Sequence, residues 1–275
     1  YPDCYIGRIP AKTNASLNLM LNKVLYMDRT PPLVSNHYAK TLITGASDNL
    51  TGAEPWTSQL SHYMSAKHGS DSTSSYFNLN GNSTFGAIRD NGNGVLCINE
   101  NPLGNTKWLG KYQLSEDYLS DITNAGITSD SDAAAAALAE WNQGTALVSY
   151  ICHGGELGWY YSGQNYLIDV DDVETMDSSR QFDLLLDFSC QTAEYRENTN
   201  NFTQALLENQ QGGSYAAFAA TTLQFAGNQD YLFFGFLSGA LPDYLSFFND
   251  YFDESSDKYY NSNLSSSTSI ATNVL

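Results

Sequence analysis

Basic residues are scarce in this chain: 12 Lys and Arg stand against 30 Asp and Glu, giving a formal net charge of -18 over 275 residues. A surface that negative repels phosphate backbones and anionic lipid, which argues against nucleic acid and membrane surfaces as partners. Long apolar runs are also missing, and no stretch approaches the roughly 20 residues of a transmembrane helix. Cysteine is sparse. Cys4, Cys97, Cys152 and Cys190 are too few for a disulfide scaffold at this length, and their spacing matches no zinc motif. A Cys4–Cys97 disulfide suits an oxidising compartment, while buried thiols suit strand cysteines equally well. The opening Tyr1-Pro-Asp-Cys4 lacks the basic and apolar regions of a signal peptide and does not begin with Met, so the chain reads as a processed or trimmed fragment.

What is present is enough apolar material, 42% of residues, to bury a sizeable core. The expected organisation is one domain over residues 1–275 with an irregular insertion at about 69–124, an elaborated connection carrying a strand or hairpin, where Ser, Asn, Gly and Asp dominate around one clear strand at Gly94–Ile98. Tyr5–Pro10 reads as a short strand. Leu17, Leu21, Val24 and Leu25 then recur at helical spacing behind Thr13 or Asn14 as N-cap, and Pro31-Pro32 ends that helix. Ala39–Ala46 is the next strand, followed by a polar turn and a helix carrying Trp56, Leu60, Tyr63 and Met64. This strand–helix rhythm predicts an α/β sheet. Further helices are expected from Ser131 to near Trp141 and Gly144, around Asp169–Met176, at Phe202–Glu208 and from about Tyr231, with a strand at Ser214–Thr221. Scarce Lys and abundant Tyr, Ser and Asn fit a secreted bacterial protein.

Two apolar segments end in unusual side chains. Thr145–Cys152 stops at His153-Gly154-Gly155, and Phe182–Ser189 stops at Cys190. Short apolar runs bounded by Gly or polar residues are what strands buried on both faces of a parallel sheet look like, and such sheets bind substrates outside the carboxyl ends of their strands. A thiol beside an imidazole is a nucleophile beside its base. Gly154-Gly155 offers a turn whose backbone N–H can face an oxyanion. Cys152 belongs to the strand interior and reads as inert. His37, His62 and His68 lack metal spacing and read as surface or helix residues.

With Tyr5-Ile-Gly-Arg8, His153-Gly-Gly-Glu156, Trp159 six residues past the His, Phe182-Asp183 leading to Cys190, and Ala219-Ala-Thr-Thr222, the chain resembles the gingipain-like cysteine peptidases of the caspase-like clan. The resemblance implies a mostly parallel sheet flanked by helices in a three-layer sandwich. It implies a secreted endopeptidase in which Cys190 attacks the scissile carbonyl and His153 moves the proton through a thioester acyl-enzyme. The oxyanion would be held by the N–H groups of Gly154 and Cys190. An acid after an earlier strand would orient the imidazole, with Asp48 as the counted position and Glu100 as the competitor. Substrate contacts would fall to Glu54, Ile151, Trp159 and Thr222, with a preference for Arg or Lys at P1. Two departures bear on that preference: Glu54 is no clean counterpart of the family's specificity acid, and Ile151 stands where a small polar residue is favoured. Protein or peptide substrates, a propeptide and additional domains are the implied partners. No cofactor is required for the chemistry, and structural calcium is an expectation. Asp169, Asp171, Asp172 and Glu174 could hold that ion, although they lack EF-hand spacing and suit helix N-terminal acids better.

Overall fold

Thr13, in extended backbone, accepts a hydrogen bond from the Ser16 amide (3.0 Å) and so caps helix α1, Asn14–Arg29. The computed structural model describes residues 7–33, 37–46, 73–79, 84–88, 130–151, 153–160, 166–195, 200–224, 232, 236–237 and 239–241. Within it α1 turns a different face inward from the one its leucines suggest. Met20 and Lys23 are buried, whereas Leu21, Val24 and Leu25 remain 37%, 42% and 42% exposed. Lys23 explains the rotation. Its ammonium donates to the carbonyls of Leu206 (2.8 Å) and Gly212 (3.0 Å) and lies 4.4 Å from the centroid of the Phe182 ring. Those contacts offset part of the cost of burying a cation, and no apolar side chain could replace them.

After α1 come β1 (Thr41–Ala46), β2 (Thr73–Leu79), β3 (Thr84–Ile88), α2 (Asp130–Asn142) and β4 (Leu147–Ile151). The chain continues through β5 (His153–Gly155), β6 (Gly158–Tyr160), β7 (Ile168–Asp169), α3 (Val170–Thr175), β8 (Asp183–Phe188), α4 (Phe202–Glu208) and β9 (Ser214–Phe218). One sheet has the order β3-β2-β1-β4-β8-β9, parallel throughout except for β3, and β5-β6-β7 form a small antiparallel sheet. Helices flank the large sheet, α1 and α4 at its β9 end and α2 over β1 to β3. From β1 the chain first builds outward through β2 and β3, then returns to place β4 on the other side of β1. That reversal lies at the carboxyl edge where open α/β sheets bind ligands.

Several sequence expectations change. β2 and β3 form an antiparallel hairpin inside the stretch expected as an elaborated connection carrying a strand or hairpin, and they join the main sheet rather than standing apart from it. Residues 7–10 carry no strand, and Leu232, Phe236 and Leu237 are helical as expected. The strand at Gly94–Ile98, the helix of Trp56 to Met64, and Cys4, Cys97 and Cys152 lie outside the described residues. Of the two settings expected for His37, surface or helix, it takes the second, buried in a short 3-10 helix at His37–Ala39.

β4 and β8 are buried on both faces, with Val148, Tyr150, Ile151, Leu185, Leu186 and Phe188 in the core. β8 is unusual because two buried carboxyls, Asp183 and Asp187, bracket its three leucines. Asp183 accepts from the Trp141 indole (2.6 Å) and the Ser214 hydroxyl (2.6 Å). Gly144, with φ of 80°, ends α2 just after Trp141 and turns the chain into β4.

Burial pushes the Asp183 carboxyl up to about 6 and the Lys23 ammonium down to about 7. Because folded Asp183 holds its proton more tightly than the unfolded chain does, its stabilising contribution is present below the ordinary carboxylate range and is lost as pH rises through about 6. The Lys23 contribution is present above the ordinary lysine range and is lost as pH falls through about 7. The two contributions therefore run in opposite directions with pH. Urea unfolding across this range checks the prediction: relative to the parent, Asp183→Asn flattens the acid limb and Lys23→Met the alkaline limb, each by up to about 1.4 kcal/mol per pH unit.

Candidate active site

Across the parallel pair β4 and β8, Ile151 is level with Phe188. His153 and Cys190 each stand two residues beyond that level, so both leave the sheet at the same height on adjacent strands. Their segments touch. A methyl group added to Gly154 would meet the Ser189 hydroxyl, and would lie 2.8 Å from both the Cys190 carbonyl oxygen and the Ser189 Cβ. Only glycine lets the histidine segment approach the cysteine segment this closely.

The chain past His153 folds at once into the β5–β6 hairpin, with His153 opposite Tyr160 and Gly154 opposite Trp159. The imidazole stacks on the Tyr160 ring at 5.8 Å and 8°. Beneath them the Tyr150 hydroxyl lies 2.7 Å from the His153 carbonyl and 3.0 Å from the Tyr160 carbonyl, fixing the hairpin to β4.

Cys190 is a half-buried thiol. The Gln224 amide N–H donates to its sulfur (3.3 Å), and the Gln224 carbonyl lies 3.5 Å from it. The next residue, Gln191, takes φ of 56°, a left-handed conformation uncommon outside glycine. Its amide donates to the Thr222 carbonyl (3.2 Å), and Ala193 donates to Ala220 (3.0 Å). The turn that carries the thiol is thus laced to the chain leaving β9.

Asp187 ties the two halves together. Its Oδ1 accepts from the Ser189 amide (3.1 Å) and hydroxyl (2.5 Å), and its Oδ2 accepts from the Trp159 indole (2.8 Å). Burial raises the carboxyl above its usual range, and the Ser189 and Trp159 hydrogen bonds act against that rise. Trp159 is packed between Trp141 (5.4 Å, 11°) and Tyr150 (4.4 Å, 12°), with Phe202 tilted against it at 5.0 Å.

The fold therefore brings Cys190, His153 and Gly154 to one place. Ile151 and Trp159 do not belong among substrate contacts: they are 1% and 0% exposed and fill the core beneath the site. Thr222 is exposed at the rim, where its carbonyl receives Gln191. Asp48, Glu54 and Glu100 lie outside the described residues. Asp169 caps α3 by accepting from the Asp171 and Asp172 amides, and Asp172 returns a bond from the Asp169 amide. Among the described residues no group of three or more His, Cys, Asp or Glu side chains is placed to hold a metal ion. Asp187, Tyr160 and Gln224 escape a reading for catalytic motifs. Asp187 did leave a trace, a charged residue inside an otherwise apolar run.

Replacing Gly154 tests the close approach. Gly154→Ala is expected to cost about 1–3 kcal/mol in urea unfolding, because the methyl must displace the Ser189–Cys190 backbone. Asp187→Asn is expected to lose a similar amount, since an amide nitrogen must face either the indole or the Ser189 donors.

The peptidase family C25 model matches residues 1–262. No curated protein matches the chain. Among solved structures it resembles the Arg specific cysteine proteinase gingipain R at a TM-score of 0.57 and 14% identity, over 87% of this chain and 45% of that one. It also resembles the complex of Porphyromonas gingivalis RgpB pro- and mature domains (0.56, 14%, 85% and 45%) and a structure described only as a protease (0.51, 14%, 82% and 37%). The chain spans less than half the length of each of these, and at such identity the likeness establishes the caspase-like α/β fold.

Proposed function

The chain belongs to peptidase family C25, and from that premise we propose that it hydrolyses peptide bonds with Cys190 as nucleophile and His153 as proton carrier. The single observation that carries the proposal is the equal offset of the two residues from the Ile151–Phe188 level, with Gly154 in contact range of Ser189 and Cys190. In the reaction the Cys190 proton passes to His153 as the sulfur attacks the scissile carbonyl carbon. The imidazolium then protonates the departing amine, the C–N bond breaks, and a thioester remains. Water attacks that thioester, giving its proton to His153, and the acid product leaves with the thiol restored. We assign the oxyanion to the N–H groups of Gly154 and Cys190, a reading supported by the close approach of their two segments.

The local architecture supports rigidity at both reacting groups. Tyr160 limits imidazole rotation on one face, and the Gln224 amide orients the sulfur. Asp48 is the proposed orienting acid, and β1 ends two residues before it. An extracellular or cell-surface setting is in keeping with the acidic, lysine-poor composition.

Cys190→Ala is expected to lower kcat/KM on a fluorogenic peptide by about 10³-fold or more, and His153→Ala by about 10²-fold or more, both with unchanged unfolding midpoints. Parent-like hydrolysis by Cys190→Ala sinks the proposal. Iodoacetamide is expected to modify Cys190 faster than free cysteine, and a sluggish thiol would favour a catalytically silent binding domain on the same fold.

A further inference from the structure

A cavity of about 250 Å³ opens between the ends of β8 and β9, lined by Phe188, Phe218, Ala219, Ala220, Leu232 and Gln224. It adjoins the thiol, because Ser189 also borders it and the Gln224 amide donates to the Cys190 sulfur at 3.3 Å. The volume lies below the several hundred Å³ of sites that hold a whole drug-sized ligand, and suits one side chain. Its apolar wall is firmly built: the Phe188 and Phe218 rings meet at 5.7 Å, and Phe236 backs Phe218 at 5.3 Å.

Resting on the dyad reading above, we propose that this cavity receives the P1 side chain and selects an uncharged aliphatic or thioether group, such as Leu or Met, over Arg or Lys. Among the described residues the carboxylate that borders the cavity is Asp187, and its oxygens are engaged from within the protein. Oδ1 takes the Ser189 N–H and O–H, and Oδ2 takes the Trp159 N–H. Burial also disfavours the anionic form of that carboxyl. A guanidinium or ammonium entering here would give up water without gaining a charged partner among the described residues, which is costly. An aliphatic P1 group gives up nothing polar and covers two phenyl rings. Gln224 and Thr221, at the mouth, supply neutral polarity only.

The test uses two peptidyl acyloxymethyl ketones differing only at P1, Leu against Arg, with Cys190 modification followed by mass spectrometry and iodoacetamide in parallel. The Leu reagent is expected to react at least about tenfold faster than the Arg reagent. Gln224→Glu, which sets a carboxylate at the rim, is expected to narrow that ratio by about fivefold or more. Equal or faster reaction by the Arg reagent overturns the assignment and leaves the dyad standing, as does a Leu preference that Gln224→Glu leaves unmoved. If neither peptidyl reagent modifies Cys190, the assignment also falls. The iodoacetamide rate then decides the rest: fast modification preserves an activated thiol, and a rate no greater than that of free cysteine removes the dyad reading as well.

Discussion

The carboxylate of Asp187 is the constraint on which the rest of the site depends. It is fully buried, a position that is expensive for an acid unless its oxygens are saturated. Here one oxygen takes two donors from Ser189, immediately before the thiol, and the other takes the indole of Trp159, on the second strand of the histidine hairpin. A single side chain therefore ties together the two segments that carry the proposed reacting groups. Moving either segment would strand a buried donor or acceptor, a loss of about 1–3 kcal/mol for each group left unmade. The same device appears at the other end of β8, where Asp183 joins Trp141 of α2 to Ser214 of β9. The two indoles stack on one another, so the acids act through one aromatic column.

This brace explains why the site can rest on short, irregular segments. β5 and β6 are three residues each, and the turn after Cys190 contains a non-glycine residue at positive φ. Neither would hold its shape alone, since short hairpins are marginal in water and a left-handed glutamine is strained. The hairpin is held by the Trp159 stack below and the Tyr150 hydroxyl bridge beside it. The turn is held by Gln191, Ala193 and Gln224 against the chain leaving β9. Strain at the proposed nucleophile is thus supported from the rigid parallel core.

Much of this was legible in the sequence where apolar pattern and chemistry coincide. The runs ending at His153 and Cys190 read as paired strands, and they pair with those ends level. Thr13 read as an N-cap and acts as one. The failures have physical causes. β2, Thr73-Ser-Ser-Tyr-Phe-Asn-Leu79, is polar in composition, and its place in the sheet follows from backbone pairing with β1 that no side-chain pattern announces. α1 carries an apolar stripe, yet a lysine that finds two carbonyls and a phenyl ring decides which face turns inward. Trp159 resembles a substrate wall by its distance from the histidine, but its partner is a buried aspartate, a pairing that crosses 28 positions of sequence. Asp48, Glu54 and Glu100 lie outside the described residues, so the proposal of an orienting acid rests on the sequence alone.

The net charge of -18 and the proposed uncharged P1 preference have opposite senses, since an acidic surface draws basic peptides. They act over different distances. The surface field steers approach and is screened within about 8 Å at physiological ionic strength, so it raises encounter rates without choosing the residue that is cut. The choice is made after water has left the cavity, where the energy of a side chain depends on the atoms touching it. There, among the described residues, the bordering carboxylate is already spent on Ser189 and Trp159, and Phe188, Phe218 and Leu232 line the walls. An acidic exterior can therefore gather basic peptides while the cavity beside Cys190 favours their neutral residues, because the hydrogen bonds that hold the site together use the charge that would have read a cation.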